Sequence, residues 1–312
     1  MADMMSVMIG QYSIEPAPPE HLDEAVCLLL GLDPRREAAS PRVEMLREWL
    51  EHQGLRPIYQ AVWRRRPIAA ATVMVSPGRT GLLVHSPFWL CQTRKSALSG
   101  AVEVATRHAV DAGVAFVQSL LSPQDNQTRQ LLERAGYVRL TELIYMRADL
   151  RDPVPMSPPN LEWRHVGEMP PSVLEATIAA TYEGSLDCPA LAGLRSPQDV
   201  VAGHRSSGVY TPQAWWVVFC DGQPAGCVLV NDILSANRAD IVYLGVAKGF
   251  RRRGIGKAIL DRACTQARQV GRASLTLAVD ATNAPAVKLY ERYGFAPTQR
   301  RLAMVFLPQP RV

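Results

Sequence analysis

Displaced along itself by 158 residues, the sequence meets its own pattern. Gly113 falls on Gly271, Leu131 on Leu289, Arg134 on Arg292, Gly136 on Gly294 and Tyr137 on Phe295, without a gap. Helix, strand, helix and glycine stop follow in the same order in both copies, which argues for an internal duplication rather than one large core. Between the copies, four prolines occupy the seven positions 153–159. Such a run forms neither a regular helix nor a central strand, so 151–159 reads as a linker. The expected domains are 1–150 and 160–312, in keeping with the length of the chain.

The second copy reads as strand 161–166, helices 171–182 and 196–205, strands 215–219, 225–230 and 240–246, helix 254–270, strand 273–279, helix 285–293 and strand 299–307. In helix 254–270, Ile255, Ile259, Ala263, Ala267 and Val270 recur at spacings of three and four, one apolar stripe of a 3.6-residue helix. Ser196 before Pro197 is a cap signal, and Asp221-Gly222 between two β-rich runs marks a hairpin. The first copy repeats the order β-α-α-β-β-β-α-β-α-β. This predicts an α/β class, with an α+β mixed sheet in each of two tandem domains.

Composition matters here for what it excludes. Hydrophobic residues make up 47% and charged residues 20%, a mix that can bury full cores and is unlike disordered, collagenous or coiled-coil chains. The cysteines include no C-x-x-C pair and the histidines no H-E-x-x-H, so reduced thiols and no metal site are expected. Segment 1–10 lacks the basic start of a signal peptide, and no apolar run nears the ~20 residues of a membrane helix. A cytoplasmic protein without a membrane partner is expected. The formal net charge is +5, and residues 1–150 carry 16 Lys+Arg against 16 Asp+Glu. A neutral first domain speaks against nucleic acid as a partner. The whole excess lies in the second copy, where 248–257 alone holds five cations and no acid.

Those cations flank a glycine turn. Leu244-Gly245-Val246 ends a strand, and Arg251-Arg252-Arg253-Gly254-Ile255-Gly256-Lys257 opens the next helix. A helix start presents unpaired N–H groups and a partial positive charge. Glycines at 254 and 256 let a phosphate approach the backbone, and Arg251, Arg252, Arg253 and Lys257 add counter-charge. Read as a merely solvated run, the arginines would oppose the helix dipole. Further on comes Asn283-Ala284-Pro285-Ala286-Val287-Lys288-Leu289-Tyr290-Glu291-Arg292-Tyr293-Gly294-Phe295. Together these stretches, within 240–296, resemble the cofactor motifs of the GNAT superfamily of acyl-CoA-dependent N-acyltransferases. The first matches the superfamily's Arg/Gln-x-x-Gly-x-Gly/Ala signature in full. The element order extends the resemblance, more weakly, over nearly the whole chain, in a tandem arrangement similar to that of the mycothiol synthases.

The resemblance implies two tandem GNAT folds and direct transfer of an acyl group from acetyl-CoA, or another short acyl-CoA, to a primary amine, without a metal. It implies cofactor contacts from Leu244, Gly245, Val246, Arg251, Arg252, Arg253, Gly254, Ile255, Gly256, Lys257, Asn283 and Ala286. Strands 240–246 and 273–279 would part at their ends, the backbone at Leu244 and Val246 would pair with the pantetheine arm, and the Val246 N–H would face the thioester carbonyl. Tyr290 would be the general acid for the departing thiolate. Read from its helix alone, Tyr290 is equally a core tyrosine sharing a face with Ala286, Val287 and Tyr293, and Asn283 is equally a helix N-cap.

Under the 158-residue shift, Arg251 falls on Thr93, Gly254 on Ser96, Gly256 on Leu98 and Tyr290 on Leu132. The first domain therefore reads as a degenerate GNAT-like domain that keeps the pattern and loses the chemistry, with Arg94 and Lys95 as its remaining cations. On the acceptor side an amine must be neutral to attack, which calls for a base. Asp240, placed where mycothiol synthases carry an acid, is the first candidate. It can equally be a solvated strand-end aspartate. Glu183 and Asp187, in the loop between the early helices that the resemblance implies helps form the acceptor site, come second and Asp232 third. Cys188 has no histidine partner and reads as structural. The expected acceptor is a small-molecule or peptide amine. Two other readings stand beside this one: acetylation of a cysteinyl-aminosugar, as in mycothiol synthases, and a non-catalytic acyl-CoA sensor or scaffold. A tandem pair mimics the dimer common among single-domain relatives, so a monomer is expected.

Overall fold

A computed structural model describes residues 6–52, 57–87, 95–150 and 161–308. The proline run at 151–159, Cys91, Thr93 and Arg94 lie outside the described residues. The chain forms two compact units, Met1–Arg139 with Ala303–Val312, and Leu140–Leu302. The expected halves and the compact units divide the chain differently: residues 140–150 of the first half lie in the second unit, and the end of the second half lies in the first.

The first unit runs β1 (Val7–Ile9), β2 (Tyr12–Pro16), α1 (Leu22–Leu29), α2 (Pro34–Glu37), α3 (Pro41–His52), β3 (Tyr59–Trp63), β4 (Arg66–Ser76), β5 (Thr80–His85), α4 (Lys95–Asp111), β6 (Phe116–Leu121) and α5 (Asn126–Arg134). Strands β1 to β5 pair antiparallel in sequence order, and β6 joins β5 in parallel. The sequence pattern does not reveal β1 or α2, since three or four residues are too few for a period to show. Helix α2 is nonetheless capped, the Asp33 carboxylate accepting from the Arg35 N–H at 3.0 Å. Helices α1 and α3 bury Val26, Leu28, Val43 and Leu50 with Ala70 of β4.

The second unit takes most of β7 (Val138–Asp149) and continues through β8 (Glu162–His165), α6 (Pro171–Tyr182), α7 (Pro197–Arg205), β9 (Trp215–Cys220), β10 (Gln223–Ile233), β11 (Arg238–Val246), α8 (Ile255–Gln269), β12 (Ser274–Asp280) and α9 (Ala284–Arg292). From β8 onward this is the order expected from the sequence. The last strand, β13 (Ala296–Phe306), belongs to the second unit through Leu302 and to the first from Ala303. Helix α7 begins with a reciprocal capping box between Ser196 and Asp199, which satisfies two otherwise unpaired donors.

Two apolar layers cover the sheet of the second unit. Helices α6 and α7 pack Leu174, Ile178 and Val200 against Trp215, Val217 and Leu229. Helix α8 packs Ile255, Ile259, Ala263 and Ala267 against Val228, Ile241, Leu275 and Leu277. The predicted stripe of α8 is thus its buried face, apart from Val270 at its end, which is 40% exposed.

Two irregularities shape the site. The ladder between β10 and β11 slips after Leu229↔Tyr243, so Val242 is an extra residue, a β-bulge that bends the strand. Strands β11 and β12 pair in parallel only at Arg238↔Ser274, Ala239↔Leu275 and Asp240↔Thr276. Beyond that rung, β11 stays with β10 and β12 stays with β7 along its whole length. The expected parting of the two strands is therefore present.

Candidate active site

The parted strands open a cleft of about 1670 Å³ that lies wholly within residues 140–302. Its sides come from β11 and β12, and its mouth from the start of α8 and from α9. At the mouth, Ala247 donates its N–H to the Ala225 carbonyl at 2.9 Å. Because hydrogen bonding alternates along an antiparallel ladder, the N–H groups of Val246 and Leu244 turn away from β10, toward the gap. These two N–H groups are thus left open along the cleft, while the Val246 carbonyl accepts from Arg251.

The turn before α8 has the form of an anion cradle. Arg252 and Gly254 both have positive φ, +65° and +79°, and Gly254 is the N-cap of α8 with no side chain capping it. Such a turn gathers N–H groups on one side at the positive end of a helix. Gly256 faces the cleft floor, where a Cβ would stand 3.3 Å from Leu289. Among the described residues, Arg252, Lys257, Arg268, Lys288, Arg292 and Arg147 line the cleft with Arg251, against Asp149 and Asp187 as the acids. A cleft so charged favours a polyanion. Lys288 and Arg292 were not singled out from the sequence; their spacing of four on an amphipathic helix was the available signal.

The remaining expected cofactor residues divide by position. Leu244, Gly245, Val246, Gly254, Asn283 and Ala286 line the cleft. Ile255 is a core residue at 2% exposure, and Arg253 lies over the Phe250 ring at 5.4 Å. Neither lines the cleft. Asn283 caps α9, its side-chain oxygen accepting from the Ala286 N–H at 3.4 Å. Arg251 reaches the cleft, but its guanidinium donates to three backbone carbonyls.

Tyr290 is 7% exposed and lines the cleft from α9. Burial, with the nearby charge of Asp187, raises its pKa well above that of an ordinary tyrosine. Among the described residues no hydrogen bond holds its hydroxyl. The candidate acids fall in unlike settings. Glu183 is exposed, lies outside the cleft and pairs with Lys248 at 2.7 Å. Its carboxyl is held below the usual value by that lysine. Asp240 sits at the last rung before the strands part and accepts a hydrogen bond from the Thr276 hydroxyl. Burial raises its pKa, and it does not line the cleft. Asp232 forms a two-point ion pair with Arg272, at 2.9 Å in both bonds. Asp187 lines the cleft. One of its oxygens accepts from the Asp280 N–H at 3.0 Å, and its pKa is raised by burial and by the charge of Asp280.

Asp280, which the sequence pattern does not mark, fixes this corner. It is 1% exposed and accepts from the Thr141 hydroxyl at 2.6 Å, the Thr282 N–H and hydroxyl at 2.8 and 2.7 Å, and the Cys188 N–H at 3.1 Å. Burial alone would raise its pKa, but these hydrogen bonds outweigh it and hold the carboxyl below the usual value. The loop that carries Asp187 is thereby pinned to the end of β12. The Cys188 thiol, pushed up to about 12 mainly by burial, is a poor nucleophile, in line with its structural reading.

In the first unit, Leu98 and Leu132, the counterparts of Gly256 and Tyr290, are fully buried. A smaller cleft of about 700 Å³ lies between α4 and α5, lined by Lys95, Ser96, Ser99, Gln127, Gln130 and Arg134 among others.

Residues 180–295 match the family model described as the Acetyltransferase (GNAT) family. The match to that family is confined to this segment, which holds most of the residues lining the cleft, with the turn before α8 and with α9. It is similar to mycothiol acetyltransferase of Beutenbergia cavernae, 36% identical over 91 residues, which are 28% of this chain and 30% of that protein. It is also similar to streptothricin acetyltransferase of Streptomyces lavendulae, 39% identical over 79 residues, 25% of this chain and 42% of that one. The matches thus span less than half the length of either relative. Among solved structures, a GCN5-related N-acetyltransferase from Sphaerobacter thermophilus matches over 98% of this chain and 99% of its own, with a TM-score of 0.54 at 20% identity. A tandem GNAT protein from the clavulanic acid biosynthesis pathway matches over 96% and 100%, with a TM-score of 0.52 at 16% identity. At these identities the likeness concerns the fold: the chain shares the mixed α/β fold of those proteins, including one built in tandem. Among its described residues no helix is long and apolar enough to cross a membrane, and no group of three or more His, Cys, Asp or Glu side chains could hold a metal ion.

Proposed function

We propose that the second unit is an N-acetyltransferase that moves an acetyl group directly from acetyl-CoA to a primary amine. The observation that carries this reading is the gap between β11 and β12, which leaves backbone N–H groups open beside a cation-lined turn at a helix start. The turn 251–256 would hold the pyrophosphate through its N–H groups, with Arg252, Lys257 and Lys288 supplying charge. The Leu244 and Val246 backbone would take the pantetheine arm by strand addition. The Val246 N–H would stabilise negative charge as it develops on the thioester oxygen.

Asp187 is the base this geometry favours over Glu183 and Asp240. It faces the cleft, its charge is felt at Tyr290, and its second oxygen has no protein hydrogen bond among the described residues. Its raised pKa brings a carboxyl closer to the range where it can take a proton from an ammonium. Tyr290 stays protonated and donates its hydroxyl hydrogen toward the departing sulfur.

The test is release of free thiol from acetyl-CoA across a panel of amines that includes a cysteinyl-aminosugar, run beside Gly256→Leu and Tyr290→Phe. A leucine at 256 fills the cleft floor against Leu289 and should abolish cofactor binding. Unchanged acetyl-CoA affinity in that variant would remove the cofactor assignment. Tight acetyl-CoA binding with no thiol release for any amine would make the protein an acyl-CoA binder instead.

A further inference from the structure

Of the cations in the turn before α8, Arg251 alone has its guanidinium turned back onto the backbone of three separate segments. Nε donates to the Val246 carbonyl at 3.0 Å, one terminal nitrogen to the Gly184 carbonyl at 2.8 Å and the other to the Thr181 carbonyl at 2.9 Å. Val246 ends β11, Thr181 lies in the last turn of α6, and Gly184 begins the loop that brings Asp187 into the cleft.

We propose that Arg251 is a positioning residue for the acceptor loop, a latch joining the phosphate-binding turn to residues 183–188, and not a phosphate ligand. The proposal rests on the reading that the cleft binds acyl-CoA. Carbonyls in the last turn of a helix lack partners within it, and a cation there also suits the helix dipole. Only a planar fork of donors can meet three diverging carbonyls at once, so lysine is no substitute. The neighbouring backbone is shaped to let the segments meet. Gly184 has a φ of +59°, and a Cβ at Gly245 would stand 2.7 Å from the Thr181 hydroxyl oxygen. On the outside, Lys248 and Glu183 join the same segments, but an exposed pair adds little. At its far end the loop is pinned to Asp280 through the Cys188 N–H and through Asp187. The loop is therefore tied at one end to the turn and at the other to β12, and whatever steadies the turn steadies Asp187.

Hydrogen–deuterium exchange over residues 182–189, with coenzyme A affinity by calorimetry, tests this in the wild-type protein and in Arg251→Ala, Arg251→Lys and Arg252→Ala. Without ligand, exchange in the loop should rise about tenfold in both Arg251 variants and not in Arg252→Ala. Added methylguanidinium should restore protection to Arg251→Ala. Coenzyme A should bind Arg251→Ala within about threefold of wild type, as expected when no phosphate contact is lost, and bind Arg252→Ala more weakly. It should add protection to the loop in the wild type but not in Arg251→Ala. Unchanged loop exchange in both Arg251 variants would overturn the latch, as would a tenfold or greater loss of coenzyme A affinity without loosening of the loop. Exchange in the free protein needs no cofactor, so a wild type that fails to bind coenzyme A would reject the acyltransferase reading while the latch is still judged on its own.

Discussion

Asp187 and Glu183 are four residues apart and in opposite electrostatic settings. Asp187 lines the cleft with its pKa raised; Glu183 pairs with Lys248 outside the cleft with its pKa lowered. A base must be deprotonated to act, so a raised pKa places the acid limb of the rate profile above the usual carboxylate range. We expect Asp187→Asn to remove that limb and to lower kcat by about 10² or more. Glu183→Gln should stay within about twofold, since exposed pairs carry little energy. Equal losses in both variants, measured as kcat against pH, would exclude Asp187 as the base. Tyr290→Phe should lower kcat by about 10² with an unchanged far-ultraviolet spectrum, because the ring keeps its place beside Phe295. Its raised pKa also predicts that Tyr290 adds no alkaline limb below the ordinary tyrosine value of about 10. Asp280 is held low, so its ionised form stabilises the fold at neutral pH, and that contribution is lost as pH falls through the depressed folded value. The stability gap between wild type and Asp280→Asn in urea unfolding should therefore be full near pH 7 and shrink on acidification below about pH 4.

At the scale of elements, glycines set how closely the parts of the site meet. A Cβ at Gly245 would approach three side-chain atoms of Thr181 at 2.7–2.9 Å. Gly245→Ala should therefore push α6 from β11, at a cost of about 1–3 kcal/mol. Gly254→Ala meets open space but must hold a left-handed conformation, costing about 1–2 kcal/mol. Thermal unfolding measures both. A Gly245→Ala protein as stable as wild type would show that the helix can yield. Much at this scale was legible in the sequence: α7 from its Ser-Pro cap signal, α8 from its stripe, the turn from its glycines and cations. What escaped was contact between distant segments. Nothing near residue 251 announces that its side chain turns toward residues 181 and 184, seventy and sixty-seven positions away. Asp280 reads as any aspartate at a strand end, because the threonine and backbone donors that define it come from 141, 188 and 282. The bulge at Val242 is likewise a matter of register, set by β10 and not by the composition of β11.

For the molecule as a whole, the repeat predicted the elements but not where each strand goes. Residues 138–146 and 296–304 are counterparts under the 158-residue shift, yet β7 pairs with β12 of the second unit, and the chain from Ala303 joins the first. A periodic pattern fixes that a strand forms, while its neighbour is chosen by tertiary packing. Ala303, Met304 and Val305 are at most 1% exposed, and Phe306 lies against Tyr137, ring centres 5.6 Å apart. A chain cut after Leu302 should lose protease resistance in residues 6–139 and keep it in the second unit. Equal resistance in both would show that the first unit is stable without its last strand.

This sharing of strands gives the protein a schedule during synthesis. The second unit can close once residue 302 has left the ribosome, with β7 already made. The first unit has its own residues in hand long before, yet it must wait for 303–306. At translation rates of about 5–20 residues per second, that wait is on the order of ten to thirty seconds. Through that interval the first unit leaves the buried side of Tyr137 open. Its exposure to chaperones and proteases in a cell is thus set by the time the ribosome takes to make the second unit.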